Sequence, residues 1–265
     1  MNILQAIILG VVQGLTEFLP VSSSAHLVFI QHFLGINQPE IVFEVVLHFA
    51  TMLAIIIFFR QETGQLIQGM FRLNKFKTDP SARFSGLVIL GSIPAVIIGL
   101  TGKNYFEAAF QSALLVAVFL LVTGVILYLA QIYARPRRGA QLTTIKDVLL
   151  IGVAQGLAIL PGISRSGTTI SAGILLGLEK KWAARFSFLL SLPAVLGATI
   201  LELKDLSFNQ LAGQKAVYFW GGVSAFIAGL FALKALLWTL EKGQFKVFAY
   251  YCWIVGGVVI FLLLR

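Results

Sequence analysis

Apolar residues fall into runs separated by short polar stretches, and the lengths of the runs sort them into two kinds. A helix needs about 20 apolar residues to cross a hydrocarbon core ~30 Å thick. Residues 41–59, 84–100 (with tilt), 109–133, 183–201, 218–240 and 248–264 meet or approach that length and predict six spans. Residues 3–15, 26–34, 148–160 and 170–178 are apolar but too short. The short runs pair around two polar breaks, which predicts two re-entrant hairpins, each returning to its starting side. Residues 60–83 read as a hydrophilic connection, 103–107 as a short turn, 204–215 as a polar loop and 241–246 as a short loop.

The order of runs repeats. Gly10-Val-Val-Gln-Gly-Leu-Thr-Glu-Phe-Leu-Pro aligns with Gly152-Val-Ala-Gln-Gly-Leu-Ala-Ile-Leu-Pro after one deletion, pairing Ser23 with Ser164 and Ser24 with Arg165. The expected fold is an all-α integral membrane protein, a single polytopic domain over residues 1–265 with halves of about 1–135 and 145–265. Each half is a re-entrant hairpin plus three spans, and that odd number of crossings inverts the second half. Inverted repeats with broken helices place a site near the midplane, where helix N-termini point at anionic groups. The helices expected from about Ser24 and Gly167 would aim free N–H groups at one point, a setting that favours phosphate.

Composition agrees with the pattern. The chain is 58% hydrophobic and 12% charged over 265 residues, about half the charge of a soluble domain. Its net charge of +9 would suggest nucleic acid in a soluble protein, but there is no base-stacking motif, and bilayer orientation explains the charge. Segments 60–83, 134–146, 180–185 and 241–247 hold fourteen of the twenty Lys and Arg. Cytoplasmic loops carry such an excess, so these segments are expected inside and both termini outside, in the periplasm. A single cysteine, Cys252, excludes a disulfide framework or a thiolate metal cluster. Residues 1–4 lack the basic flank of a signal peptide and read as mature sequence.

Within the breaks, ionisable and hydroxyl side chains stand at membrane depth, where they mark functional sites. Arg165 keeps its charge and offers a planar fork for phosphate oxygens. Ser164, Ser166, Thr168 and Thr169 add hydroxyls around it, and Gly167 allows close backbone approach. Alternatively Arg165 pairs with a carboxylate such as Glu17, which would itself join the hairpins. Gln13 and Glu17 share a helix face. Glu17 is a candidate metal ligand or proton carrier, and Gln13 a polar contact. Ser23 and His26 offer a nucleophile and a base, or His26 attacks phosphorus while serine positions it; the sequence leaves both open. Ser22 and Ser24 are substrate contacts or helix caps. Glu44 and His48, on one face of the first full span, are expected to hydrogen-bond to the hairpin.

Gln13-Gly-Leu-Thr-Glu-Phe-Leu-Pro-Val-Ser-Ser-Ser-Ala-His26, Phe43-Glu-Val-Val and Pro161-Gly-Ile-Ser-Arg-Ser-Gly167 resemble the bacterial undecaprenyl-pyrophosphate phosphatases, also called bacitracin-resistance proteins. The resemblance covers essentially the whole chain. It implies hydrolysis of the terminal phosphate of a polyprenyl pyrophosphate, regenerating the monophosphate carrier for cell-wall synthesis in the cytoplasmic membrane. It carries the family's site onto Glu17, Ser23, His26, Arg165 and Thr169, with Ser22 and Ser164 nearby, and implies a divalent cation, magnesium or calcium. Some members have Glu where Gln13 stands. The expected partners are the lipid substrate and membrane lipids, with a homodimer left open. The competing reading is a transporter or flippase of the carrier lipid, because inverted repeats also serve alternating access.

Overall fold

The computed structural model describes residues 1–33, 41–133, 135, 138–204 and 214–265. Arg137 of the basic loop and most of the polar loop 204–215 lie outside the described residues. The elements in order are α1 (Ile3–Phe18), α2 (Ser23–Phe33), α3 (Ile41–Phe58), α4 (Arg60–Met70), α5 (Pro80–Phe110), α6 (Ala113–Tyr133), α7 (Ile145–Leu157), α8 (Arg165–Leu175), α9 (Lys180–Lys204), α10 (Lys215–Glu241) and α11 (Lys246–Leu263). Among the described residues, five helices (α5, α6, α9, α10 and α11) are long and apolar enough to cross a membrane. A sixth is added when α3 and α4 count as one bent span.

The chain turns by 93° between α3 and α4. Apolar sequence stops at Phe59, and the following Arg60-Gln-Glu-Thr cannot continue into hydrocarbon. The expected hydrophilic connection therefore contains an amphipathic helix. It buries Thr63, Leu66 and Gly69 against α5, where Ser85 Oγ donates to the Leu66 carbonyl at 2.7 Å.

The turn expected at 103–107 is instead part of α5, which runs unbroken for 31 residues. Lys103 and Glu107 form an i,i+4 ion pair at 3.7 Å, so charge here marks where the helix leaves the apolar layer, not where it ends. Asp79 caps its start, accepting from the N–H groups of Ser81 at 2.8 Å and Ala82 at 3.2 Å. The Ala82 N–H above all, with that of Ser81 and the Arg72 guanidinium, outweighs desolvation and holds the Asp79 carboxyl below the usual range. The helices after the two polar breaks also begin earlier than expected, at Ser23 and Arg165, so both side chains belong to first turns.

Packing crosses between the halves of the sequence. Helix α1 lies along α10, and α7 lies along α5. Small residues permit both approaches. A Cβ on Gly10 would overlap Ser224 Oγ and the Gly221 carbonyl, and one on Gly14 the Ala225 carbonyl. A Cβ on Gly152 would overlap the Gly91 carbonyl, and one on Gly156 would crowd the Ile98 side chain. Helix α3 contacts α9 and α10, α5 contacts α9, and α6 contacts α11. Buried Phe18 at the end of α1 meets Phe188 of α9 edge-on at 5.6 Å, fixing the first hairpin tip against the helix that also packs on α8.

Candidate active site

Two helix breaks build the site. After α1, Pro20 lacks the N–H that a continuing helix needs, and Ser22 adopts φ +68°. That left-handed conformation is strained for a residue with a Cβ and clusters at functional positions. After α7, Gly162 sits at φ +96°, where a Cβ would overlap the Val116 carbonyl. Thr123 of α6 clasps this second break, donating to the Gly162 carbonyl at 2.9 Å and accepting from the Ser164 N–H at 3.0 Å. Ser164 caps α8 by accepting from the Gly167 N–H at 3.1 Å.

The two breaks touch. The Gly162 N–H donates to Ser24 Oγ at 3.3 Å, and Ser166 Oγ lies 3.5 Å from the Leu19 carbonyl. A Cβ on Gly167 would press on Pro20 at 3.2 Å.

Glu17 is the centre of the cluster, with a side chain only 6% exposed. One oxygen, Oε1, pairs with Arg165 Nη2. The other, Oε2, accepts from Ser23 Oγ at 2.7 Å and from Gln13 Nε2 at 3.0 Å. Gln13 Nε2 also lies 3.1 Å from His48 Nδ1, and His48 Nδ1 stands 3.8 Å from Glu17 Oε2. Removing one partner from a buried ion pair costs about 3–5 kcal/mol, because the other charge is then left alone.

The other expected site residues occupy distinct places. Thr169 Oγ1 donates back to the Arg165 carbonyl at 2.7 Å and shares a hydrogen bond with Ser187 of α9 at 2.5 Å. Among the described residues, Thr168 Oγ1 and Arg165 Nη1 are buried without a hydrogen-bond partner. Ser22 Oγ and Ser24 Oγ lie 3.1 Å apart. Both ring nitrogens of His26 are held by groups other than Ser23: its Nδ1 lies 2.8 Å from the Ser22 carbonyl and its Nε2 2.8 Å from Tyr251 Oη of α11. Glu44 accepts from Gln31 Nε2 of α2 at 3.1 Å, so Glu44 and His48 do both bond to the first hairpin.

Chemically, the cluster presents a hydroxyl whose proton points at a carboxylate, beside a guanidinium nitrogen with nothing yet to hold. Acceptor oxygens of a phosphate suit both Arg165 Nη1 and Thr168 Oγ1. A divalent cation also fits the donors. Among the described residues Gln13 Oε1 is buried without a partner, and one carboxylate stands beside it. Magnesium is commonly held by one or two carboxylates, with substrate phosphates and water completing its shell. No group of three His, Cys, Asp or Glu stands together among the described residues, so the protein alone would supply few ligands.

Sequence reasoning passed over Tyr251 and Thr123, and left His48 among the supporting residues. The helical spacing of Glu44 and His48 carried a signal. Nothing local marks Tyr251, 225 positions from His26.

A protein-family model described as Bacitracin resistance protein BacA matches residues 6–258. Curated relatives match along almost the full length, each called undecaprenyl-diphosphatase. The one from Desulforapulum autotrophicum is 45% identical over 98% of this chain and 98% of its own. That from Methanobrevibacter smithii is 44% identical over 98% and 97%. That from Carboxydothermus hydrogenoformans is 43% identical over 99% and 98%. Archaeal relatives are among the matches, so this kinship does not confine the chain to a bacterial membrane.

Proposed function

The chain belongs to the bacitracin resistance protein BacA family, and from that premise we propose how its geometry performs the undecaprenyl-diphosphatase reaction. It is a multi-pass membrane phosphatase that removes the terminal phosphate of undecaprenyl pyrophosphate. The monophosphate carrier returns to cell-wall synthesis, which opposes bacitracin.

One observation carries the mechanism: Glu17 holds Ser23 Oγ at 2.7 Å on one oxygen and Arg165 on the other. Ser23 Oγ attacks the terminal phosphorus while its proton passes to Glu17 Oε2. The bond from that phosphorus to the bridging oxygen breaks, and polyprenyl phosphate leaves with the electron pair. Water then attacks the phosphoserine, Glu17 returns the proton to Ser23 Oγ, and inorganic phosphate departs. Arg165 Nη1, Thr168 Oγ1 and the α8 N-terminus hold the equatorial oxygens. Preorganised donors of this kind supply much of the acceleration in phosphoryl transfer. A divalent cation would be held by Glu17 and Gln13, and when bound it would neutralise pyrophosphate charge.

Exchange of partners supports the inverted repeat. The aligned glycines Gly10 and Gly152 each meet a glycine carbonyl on a helix of the opposite half, Gly221 on α10 and Gly91 on α5. We read α1–α2 and α7–α8 as re-entrant hairpins entering from opposite sides, with both termini outside. The decisive experiment is phosphate release from undecaprenyl pyrophosphate by purified protein in detergent, where no bilayer exists to be crossed. Release abolished in Glu17→Gln and Ser23→Ala supports hydrolysis. Intact substrate would refute hydrolysis and return the transporter reading.

A further inference from the structure

His26 is held from two sides, and one of its partners is a residue given no role so far. The backbone carbonyl of Ser22 can only accept, so His26 Nδ1, at 2.8 Å, carries the ring proton. In the neutral imidazole this leaves Nε2 with the lone pair, and the atom 2.8 Å from it is Tyr251 Oη. The tyrosine hydroxyl is therefore the donor. The two rings also lie nearly parallel, 12° apart with centroids 5.6 Å from one another. Ser22 itself has a left-handed φ, so a strained backbone unit holds one side of the ring and a phenol from α11 holds the other.

A histidine needed only for packing would not require its tautomer fixed at both nitrogens. Second partners select which ring nitrogen is free to react. We propose that Tyr251 is a positioning residue for the phosphatase reaction: it holds the His26 imidazole in plane, with the Nε2 lone pair directed and its proton on Nδ1. The proposal rests on the enzymatic reading above. When phosphate enters the cleft, the hydroxyl is displaced from Nε2, and that nitrogen meets the reacting water or phosphoryl group already oriented. His26 is 8% exposed and Tyr251 41% exposed, so Tyr251 stands outside the buried core and can be altered without disturbing it.

The test is Tyr251→Phe in the full-length protein in detergent, with undecaprenyl pyrophosphate as substrate. The phenyl ring preserves the stack and removes only the donor. The expected result is a kcat at least ~10-fold lower, with KM within about twofold of wild type and an unchanged melting temperature. A second reading uses diethyl pyrocarbonate, which acylates imidazole nitrogen, followed by peptide mass spectrometry with His32 and His48 as internal references. Loss of the hydroxyl uncovers Nε2, so His26 should label severalfold faster in Tyr251→Phe. Wild-type kcat, or a loss confined to KM or to melting temperature, would overturn the positioning role, as would equal labelling rates. Inactive wild-type protein would instead refute the enzymatic reading, and the labelling ratio would still report on the hydrogen bond.

Discussion

Arg165 and Glu17 stand 148 positions apart, yet they form a buried ion pair that joins the tips of two helix breaks. Among the described residues, the same guanidinium keeps Nη1 without a hydrogen-bond partner. One residue thus ties the hairpins together, and in the proposed mechanism its second nitrogen is the donor to substrate.

That division of labour depends on a fork. Arg165→Lys keeps the charge but offers a single nitrogen, which cannot face Glu17 and phosphate at once. Hydrolysis should fall by roughly 10- to 100-fold, since a charge-assisted hydrogen bond contributes about 1.5–3 kcal/mol. Arg165→Ala should in addition lower stability by about 3–5 kcal/mol by leaving Glu17 buried and unpaired. Phosphate release and thermal unfolding in detergent separate the two effects.

The Ser23 hydroxyl is the proposed nucleophile, so Ser23→Ala should reduce kcat by ~10³-fold or more, the scale reached when a nucleophile is removed. Rapid quench of wild-type protein with substrate should give a phosphorylated peptide containing Ser23. A phosphorylated peptide containing His26 instead would transfer the nucleophilic role to the imidazole.

A glutamate in place of Gln13 would set a second carboxylate beside Glu17. Gln13→Glu should tighten magnesium binding by ~10-fold or more, because a charged oxygen replaces a neutral one beside Glu17. Calorimetric titration of the purified variant with magnesium, without substrate, measures this independently of turnover.

Helix α1 has no room for side chains where it crosses α10. Gly14→Val would drive its branches into the Ala225 carbonyl and Ala228, and overpacking of this kind typically costs about 1–3 kcal/mol. Thermal stability and activity should fall together, whereas Gly64→Ala, with open space at its Cβ, should leave both near wild type.

The Asp79 cap gives a pH signature. The N–H groups of Ala82 and Ser81 hold the carboxyl below its ordinary value, so its contribution to stability is present above the unfolded-state pKa and fades as pH falls through the lower folded value. Wild type should melt above Asp79→Ala at pH 7, and the gap should close in strong acid. A gap that persists unchanged at pH 2 would contradict the assignment.

Much of the architecture was legible because membrane depth imposes a length rule on apolar runs, and the polar breaks violate it conspicuously. Gln13, Glu17, Ser23 and Arg165 stood out for the same reason, as hydrogen-bonding groups in expensive surroundings. The turn expected at Lys103–Glu107 was not found, because charge reports solvent while helix ends depend on capping. Helix α4 hid inside a connection whose polarity masked its apolar face. Tyr251 was invisible because a tyrosine in an aromatic-rich span resembles an interface anchor. Only the folded chain discloses the imidazole beside it.

The exchange of partners between α1 and α10 also bears on biogenesis. Translation delivers α1 first, yet the surface that Gly10 and Gly14 need emerges only with α10, and the phenol beside His26 arrives later still, on α11. Until then the nascent hairpin must be sheltered by the insertion machinery or by lipid. If Tyr251 positions His26 as proposed, a chain cut before α11 should fold its first hairpin yet show no phosphatase activity.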